Sequence, residues 1–185
     1  MEKDNKWYNE AYAVSEEYRK EPEDSMYYHV WEKAISLIKN ERILDFGCGS
    51  GQFAKMLLKN EKRFVKGYDF SNEAIIIAQR LNQQHRDKFV VKDLLKIEKL
   101  PAYDLVISFE VLEHITNDLS VIKKIGSGKR FIFSVPNYDY KSHVRFFNTE
   151  EEIIKRYSVL LDIKNIYPIK MSDKNIIWLV DSVKI

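Results

Sequence analysis

Three glycines, Gly47, Gly49 and Gly51, lie between a short apolar segment and a stretch with helical spacing. Glycines at such a turn let the backbone bend sharply and let a ligand approach the main chain. The helix that follows offers backbone N–H groups at its first turn. The spacing G-x-G-x-G brings the third glycine one residue earlier than the dinucleotide fingerprint G-x-G-x-x-G, which argues against a pyrophosphate site. On the glycines alone, a tight turn without a ligand remains equally open.

Two acidic residues further along the chain favour a ligand. Asp69 ends the second apolar strand, a position that faces the ribose of a nucleoside in a doubly wound sheet. A carboxylate there can accept hydrogen bonds from both ribose hydroxyls. Asp93 follows the third strand, where the strand end would lie beside the adenine, although alone it is more typical of a helix cap. Glycine, Asp69 and Asp93 at three strand ends together predict a nucleoside site.

The elements that must position these residues alternate between strand and helix. Five apolar strands separated by helical segments predict a parallel sheet with helices on both faces. The strands are expected at residues 42–46, 64–69, 89–91, 103–109 and 130–135. Two more, near 160–167 and 176–183, follow each other through a short turn and favour an antiparallel hairpin at the sheet edge. We therefore predict an α/β fold, a Rossmann-like doubly wound seven-stranded sheet, mostly parallel with an antiparallel strand near the C-terminus.

Length and composition indicate one domain over residues 1–185, in which residues 1–40 form an N-terminal helical cover. The net charge of +2 makes nucleic acid an unlikely partner. One cysteine, Cys48, excludes an intrachain disulfide and suits a reducing compartment. Because neither a secretion signal nor a membrane span is visible in the sequence, we expect a cytoplasmic protein with no membrane partner.

The chain resembles the class I S-adenosylmethionine (SAM)-dependent methyltransferases, in the small-molecule branch that includes the ubiquinone-biosynthesis O-methyltransferases and sugar and natural-product enzymes. The resemblance covers about residues 42–137. The matching segments are Ile43-Leu44-Asp45-Phe46-Gly47-Cys48-Gly49-Ser50-Gly51, Gly67-Tyr68-Asp69-Phe70-Ser71 and Asp104-Leu105-Val106-Ile107-Ser108-Phe109-Glu110-Val111-Leu112-Glu113-His114. The antiparallel end of the sheet also fits. The resemblance implies SAM as the cofactor and S-adenosylhomocysteine (SAH) as its product.

It also implies the roles of the cofactor-binding residues. The loop from Gly47 through Cys48 and Gly49 to Gly51 would lie under the methionine part of SAM, supported by Asp45. Further along the chain, Asp69 would hold the ribose and Phe70 would pack on the adenine. The adenine edge would bind to Asp93 and to the N–H of Leu94. Phe109 would line the passage to the acceptor.

The acceptor side is less defined. Glu110 would line the passage with Phe109, and His114 and His143 are candidate general bases. For His114, bracing of the following helix is the more common role. The loop after the fifth strand offers Asn137 and Arg145, and a guanidinium can bind phosphate or carboxylate. Tyr8 and Tyr12 could form a lid, although helix packing is more common for such residues. The four histidines lack close metal-ligand spacing, so no metal is expected.

The sequence therefore predicts methyl transfer to an oxygen or nitrogen of a small-molecule acceptor, by a monomer or homodimer. Three alternatives stay open. A nucleic-acid methyltransferase would typically carry an Asn/Asp-Pro-Pro-aromatic motif where this chain has Ser108-Phe109-Glu110-Val111. A nicotinamide-dependent oxidoreductase is disfavoured by the glycine spacing and by the lack of a Tyr-x-x-x-Lys pair. A non-catalytic SAM-binding module is disfavoured by the intact set of Asp45, Asp69 and Asp93.

Overall fold

The computed structural model describes all residues from 1 to 185 and contains one seven-stranded sheet in the order β3-β2-β1-β4-β5-β7-β6. The predicted α/β fold is confirmed: the strands from β1 to β5 are parallel wherever a pairing is defined, and β7 runs antiparallel to both β5 and β6. The strands are β1 Arg42–Phe46, β2 Arg63–Asp69, β3 Phe89–Val91, β4 Leu105–Phe109, β5 Arg130–Pro136, β6 Leu161–Lys170 and β7 Ile176–Lys184.

The chain divides into two compact units, and Lys3–Asp104 forms the first. Its helices are α1 Asn5–Val14, α2 Tyr28–Leu37, α3 Gln52–Lys59 and α4 Asn72–Leu81. Short 3₁₀ helices at Glu16–Arg19 and Pro22–Asp24 separate α1 from α2. Helix α3 buries Phe53, Met56 and Leu57.

Parallel register brings the ends of β1, β2 and β3 to one edge of this unit. Asp45 lies opposite Gly67, and Asp69 lies opposite Val91. Ser71 is the N-cap of α4, because its side chain accepts a hydrogen bond from the N–H of Ala74. The carboxyl ends of these strands therefore converge at the turn that leads into α3 and α4.

The second unit comprises Met1–Glu2 and Leu105–Ile185. It contains β4 to β7 with α5 Asp118–Ile122 and α6 Glu150–Tyr157. Thr149 caps α6 by accepting from the N–H of Glu152, and the Glu152 carboxylate accepts from the N–H of Asn148. Aromatic residues fill much of its core: Phe131 and Phe133 stack with ring centroids 4.9 Å apart, and Phe133 meets Tyr157 edge to face.

A buried carboxylate ties helix to helix within this unit. Asp118 has no exposed surface, and its oxygens accept hydrogen bonds from Arg156 at 2.6 and 2.9 Å and from the Tyr157 hydroxyl at 2.9 Å. The Arg145 guanidinium lies 3.3 Å away. Because a buried charge needs such partners, Asp118 fixes the start of α5 against α6 and against the loop that carries Arg145.

None of the helices combines the length and apolar composition that crossing a bilayer requires.

Candidate cofactor and acceptor sites

The glycine loop after β1 is held by backbone hydrogen bonds from β2. The N–H groups of Gly47 and Cys48 both donate to the Tyr68 carbonyl, at 2.8 and 3.0 Å. Gly47, Gly49 and Gly51 all have left-handed φ angles, of +76°, +52° and +74°. Other residue types rarely adopt this conformation, so the glycine spacing is required by the path of the loop.

Close neighbours add a second reason for two of these glycines. A Cβ atom at Gly51 would lie 2.9 Å from the Ala78 Cβ, so α4 packs directly on the loop. A Cβ atom at Gly49 would lie 2.8 Å from the Tyr12 hydroxyl oxygen. The side chain of Tyr12 therefore lies across the loop, and helix α1 covers this end of the sheet.

Asp69 connects the loop to α4. One of its carboxylate oxygens accepts from the Gly49 N–H at 3.0 Å and the other accepts from the Ser71 N–H at 2.8 Å. Burial raises the pKa of Asp69 to about 6, although these backbone donors act in the opposite direction. A carboxylate has about four acceptor positions, so two contacts leave capacity for ligand hydroxyls.

Asp45 has a more strongly raised pKa than Asp69, its acidic neighbour in the first unit. Only 3% of its surface is exposed, and burial raises its pKa to about 8, with a further contribution from the negative charge of Asp69. Burial likewise raises the pKa of the Cys48 thiol. A positive charge bound nearby, such as the ammonium of a methionine moiety, would oppose this upward shift of the Asp45 pKa.

A cleft of about 390 Å³ opens beyond Asp69. Its lining combines the Phe70 ring with the end of β3, and the lining residues are Asn5, Phe70, Val91, Lys92, Asp93 and Lys96. Tyr8 meets Phe70 edge to face at 5.2 Å. An aromatic ring beside a carboxylate matches the flat, hydrogen-bonding shape of a nucleobase.

Asp93 has a structural contact in this cleft as well. Its side chain accepts from the Leu95 N–H at 3.0 Å and lies 3.0 Å from the Lys96 ammonium. This is the capping role that the sequence left open for it. Leu94, whose backbone N–H was assigned to the adenine, has a buried side chain.

Polar side chains hold the N-terminal cover in place, and the sequence did not single them out. Asn9 accepts from the Ser71 hydroxyl at 2.7 Å, and Asn5 donates to the Phe70 carbonyl. Gln52, the first residue of α3, donates to the carbonyls of Glu17 and Lys20 at 3.1 and 2.9 Å. These contacts join the cover directly to the glycine loop and to the cleft.

In the second unit, Glu110 directly follows β4 and has a strained backbone conformation. Its φ is +53°, which a non-glycine residue rarely adopts and which often marks a functional position. Ser134 of β5 fixes it twice, by accepting from the Glu110 N–H at 3.0 Å and by donating to its carboxylate at 2.8 Å. Burial raises the pKa of Glu110 to about 7, and the Ser134 hydroxyl opposes that shift.

Glu113, His114 and His143 come together beside Glu110. One ligand atom of each lies within 4.8 Å of the others, and the two imidazole centroids are 4.9 Å apart. Glu113 has no exposed surface. Burial raises its pKa, with a further contribution from Glu110, whereas burial lowers the pKa of His114 to about 4 and also lowers that of His143.

Hydrogen bonds between the loop after β5 and residues 112–116 explain why these residues lie close together. The Val144 N–H donates to the Glu113 carbonyl at 2.8 Å, and His114 Nδ1 lies 3.1 Å from the Ser142 carbonyl, 28 positions away. Arg145 donates to the carbonyls of Leu112, Ile115 and Thr116. The loop after β5 is thereby bound along the 3₁₀ helix Leu112–His114.

A family model described as a methyltransferase domain matches residues 44–127. The ubiquinone biosynthesis O-methyltransferase of Hydrogenovibrio crunogenus is 30% identical over 131 residues, which cover 66% of this chain and 54% of that protein. The enzyme of the same name from Vibrio parahaemolyticus is 30% identical over 69% of this chain and 57% of its own length. Residues 44–127 therefore match a methyltransferase domain, and the sequence is similar to the class I SAM-dependent methyltransferases.

The fold agrees with that family. The crystal structure of N-methyltransferase NodS from Bradyrhizobium japonicum WM9, in complex with SAH, matches with a TM-score of 0.75 at 16% identity. The match covers 98% of this chain and 99% of that one. At this identity the likeness shows the fold alone. The chain spans only a little more than half the length of the curated relatives it matches.

Two residues that the sequence assigned to the methyl acceptor make structural contacts instead. The Arg145 guanidinium is engaged by three carbonyls and Asp118, so the structure gives it a positioning role rather than an anion-binding one. Asn137 accepts from the Ile176 N–H at 2.7 Å and donates to the Lys174 carbonyl at 3.1 Å, which fixes the β5–β7 edge. Both assignments rested on loop position, which does not reveal backbone carbonyls as partners.

Glu113 is not among the residues that the sequence singles out, although it is fully buried and lies with His114 and His143. The sequence signal for it is the pair of glutamates at 110 and 113 directly after a buried strand. The expectation of no metal rested on sequence spacing, and the fold brings His143 to His114 across that spacing.

Proposed function

We propose that this chain transfers the methyl group of SAM to an oxygen or nitrogen of a small-molecule acceptor, such as a sugar, a phenol or a similar metabolite. The observation that carries the proposal is the left-handed glycine loop bound by Asp69 beside a cleft that holds Phe70 and Asp93. This is the arrangement a nucleoside with a cationic amino-acid tail requires.

When bound, SAM supplies a methyl group on a positively charged sulfur, which is a good leaving group. The chain's own residues then have to bind and orient. Asp69 accepts from the ribose hydroxyls, Asp45 favours the ammonium, and Phe70 packs on the adenine. Tyr8 and Tyr12 cover the site and exclude water. Orientation of two reactants can lower a barrier by roughly 7–11 kcal/mol, so this binding work is most of what the reaction needs.

The acceptor atom forms a bond to the methyl carbon while the carbon–sulfur bond breaks and its electron pair stays on sulfur. If the acceptor is a hydroxyl, its proton passes to a base. Glu110, His114 and His143 are the candidates we propose, and Glu110 has the pKa closest to neutrality. A base works best when its pKa is near the operating pH.

We favour a hydroxylated metabolite as acceptor, since the curated relatives are O-methyltransferases by name. Cytoplasmic location and a monomer or homodimer are part of the proposal. The location rests on the single buried cysteine, which suits a reducing compartment.

A metabolite screen tests the proposal. Purified protein is incubated with SAM and with hydroxylated and aminated small molecules, and SAH and methylated product are quantified by mass spectrometry. We expect acceptor-dependent SAH formation that Asp69→Asn strongly reduces, because the ribose contact is lost. SAH formation that no acceptor stimulates, and that Asp69→Asn leaves unchanged, would contradict the proposal.

A further inference from the structure

The cluster of Glu113, His114 and His143 has the donor set of a catalytic metal site. Two imidazoles and one carboxylate are the three protein ligands of many catalytic zinc centres, which keep a further position open. The same set holds iron in non-haem oxygenases. In this chain the three donor atoms lie within 4.8 Å of one another, close enough for rotamer adjustments to place them around one ion.

The tautomers of both histidines suit metal binding. His114 Nδ1 lies 3.1 Å from the Ser142 carbonyl, and His143 Nδ1 lies 3.0 Å from the Tyr138 carbonyl. A carbonyl can only accept, so each Nδ1 carries the hydrogen and each Nε2 carries the lone pair. Metal-binding histidines are typically oriented by such a hydrogen bond from the other ring nitrogen. His114 Nε2 also points at the cluster, 3.7 Å from a Glu113 oxygen.

Glu113 supplies an independent observation. It is fully buried, and neither carboxylate oxygen has a hydrogen-bond partner. A buried carboxylate without partners is costly, so such groups are normally paired, hydrogen-bonded or bound to a metal. Neighbouring Arg145 is occupied by Asp118 and by backbone carbonyls. A cation between Glu113 and the two imidazoles would give both Glu113 oxygens a partner.

We propose that Glu113, His114 and His143 bind a divalent transition-metal cation of the Zn²⁺, Co²⁺ or Mn²⁺ type. Imidazole nitrogen suits these ions, whereas Mg²⁺ and Ca²⁺ prefer oxygen ligands. Metal–ligand bonds of about 2.0–2.2 Å in tetrahedral geometry place the donor atoms roughly 3.4 Å apart, so the present spacing has to close by about 1–1.5 Å. Glu113 and His143 are buried, whereas 19% of the His114 side chain is exposed, so the His114 ring has the most freedom to adjust.

Three protein ligands leave positions for another oxygen, and this consequence rests on the proposed function. An acceptor hydroxyl bound to the cation would lose its proton more readily, because a bound divalent ion strongly lowers the pKa of a coordinated oxygen. Glu110, whose charge acts on Glu113 in the same unit, could accept that proton. An acceptor with two adjacent hydroxyls, a catechol or a vicinal diol, would fit best because both oxygens can bind one ion.

Cobalt titration tests the site without relying on turnover. Metal-free protein is titrated with Co²⁺ and followed by visible absorption and calorimetry, with Zn²⁺ as a competitor and Mg²⁺ as a control ion. We expect one Co²⁺ per chain, displaced by Zn²⁺ but not by equimolar Mg²⁺. Glu113→Gln and His143→Ala should each weaken binding at least about tenfold, the loss seen even for residues behind the ligands. Substitution of His29, whose side chain is 77% exposed, should have no effect.

Stoichiometric binding that survives both Glu113→Gln and His143→Ala, or no Co²⁺ and Zn²⁺ binding at all, would overturn the proposal. Circular dichroism and thermal melts of each variant show whether the fold is intact. SAM titration of the same samples separates the two proposals. Absence of metal binding to the wild type together with normal SAM binding refutes only the metal site, whereas absence of SAM binding to the wild type refutes the proposed function and leaves the metal result standing.

Discussion

Replacing Gly49 by alanine should destabilise the protein in a way that depends on Tyr12. Gly49 has a φ of +52°, and a side chain in the left-handed region costs roughly 1–2 kcal/mol. The new Cβ would also lie 2.8 Å from the Tyr12 hydroxyl oxygen, well inside van der Waals contact. The next Tyr12 atom, the ring carbon bearing the hydroxyl, would lie at an ordinary 3.7 Å. Removing the hydroxyl should therefore remove the clash and leave only the backbone strain.

A double-mutant cycle measures this difference. Thermal and urea unfolding are compared for wild type, Gly49→Ala, Tyr12→Phe and the double variant. For a chain of this size, about 1 kcal/mol shifts the melting temperature by roughly 2–4 °C. We expect Gly49→Ala to lower the melting temperature by about 4–8 °C in the wild-type background and by about half as much in the Tyr12→Phe background. Equal losses in both backgrounds would refute the placement of Tyr12 over the loop.

Two further predictions concern buried and exposed charge. Asp118→Asn should lower the free energy of unfolding by about 3 kcal/mol in urea denaturation, because it leaves the Arg156 and Arg145 charges without their buried partner. Arg42→Met, which breaks a half-exposed pair with Asp104, should change it by at most about 1 kcal/mol, and similar losses would contradict this ranking. Burial raises the pKa of Asp45 from 3.8 to about 8, so the folded chain binds its proton where the unfolded chain has lost it. The stability from this group is complete below about pH 4 and is lost as pH rises to about 8. Wild type should therefore lose stability relative to Asp45→Asn over that range, by up to about 1.4 kcal/mol per pH unit, and parallel curves would contradict the buried, raised Asp45.

The fold could be predicted from the sequence because its signals are local. The glycine spacing, the Ser71 cap and the alternation of apolar strands with helices each depend on neighbouring residues. Element ends were less accurate. The fourth strand begins at Leu105 rather than 103, since Asp104 pairs with Arg42 through both its backbone and its carboxylate.

The acceptor side could not be predicted in the same way. His114 and His143 meet through backbone carbonyl contacts, and carbonyls carry no sequence signature. Arg145 was expected to bind an anion, whereas it binds the carbonyls that end the 3₁₀ helix beside it. Asp93 follows β3, as predicted, and it lines the cleft. It also caps the short helix after it through the Leu95 N–H and contacts the Lys96 ammonium.

Calorimetric titration with SAM tests the central claim most directly, that the glycine loop and the Phe70 cleft bind this cofactor. We expect one SAM per chain, no binding of NAD under the same conditions, and an affinity loss of about 1–3 kcal/mol in Asp69→Asn, the usual effect of orphaned hydrogen bonds. The thermal melt of the variant confirms that the loop still folds. Binding of NAD in preference to SAM, or SAM affinity unchanged by Asp69→Asn, would contradict the account.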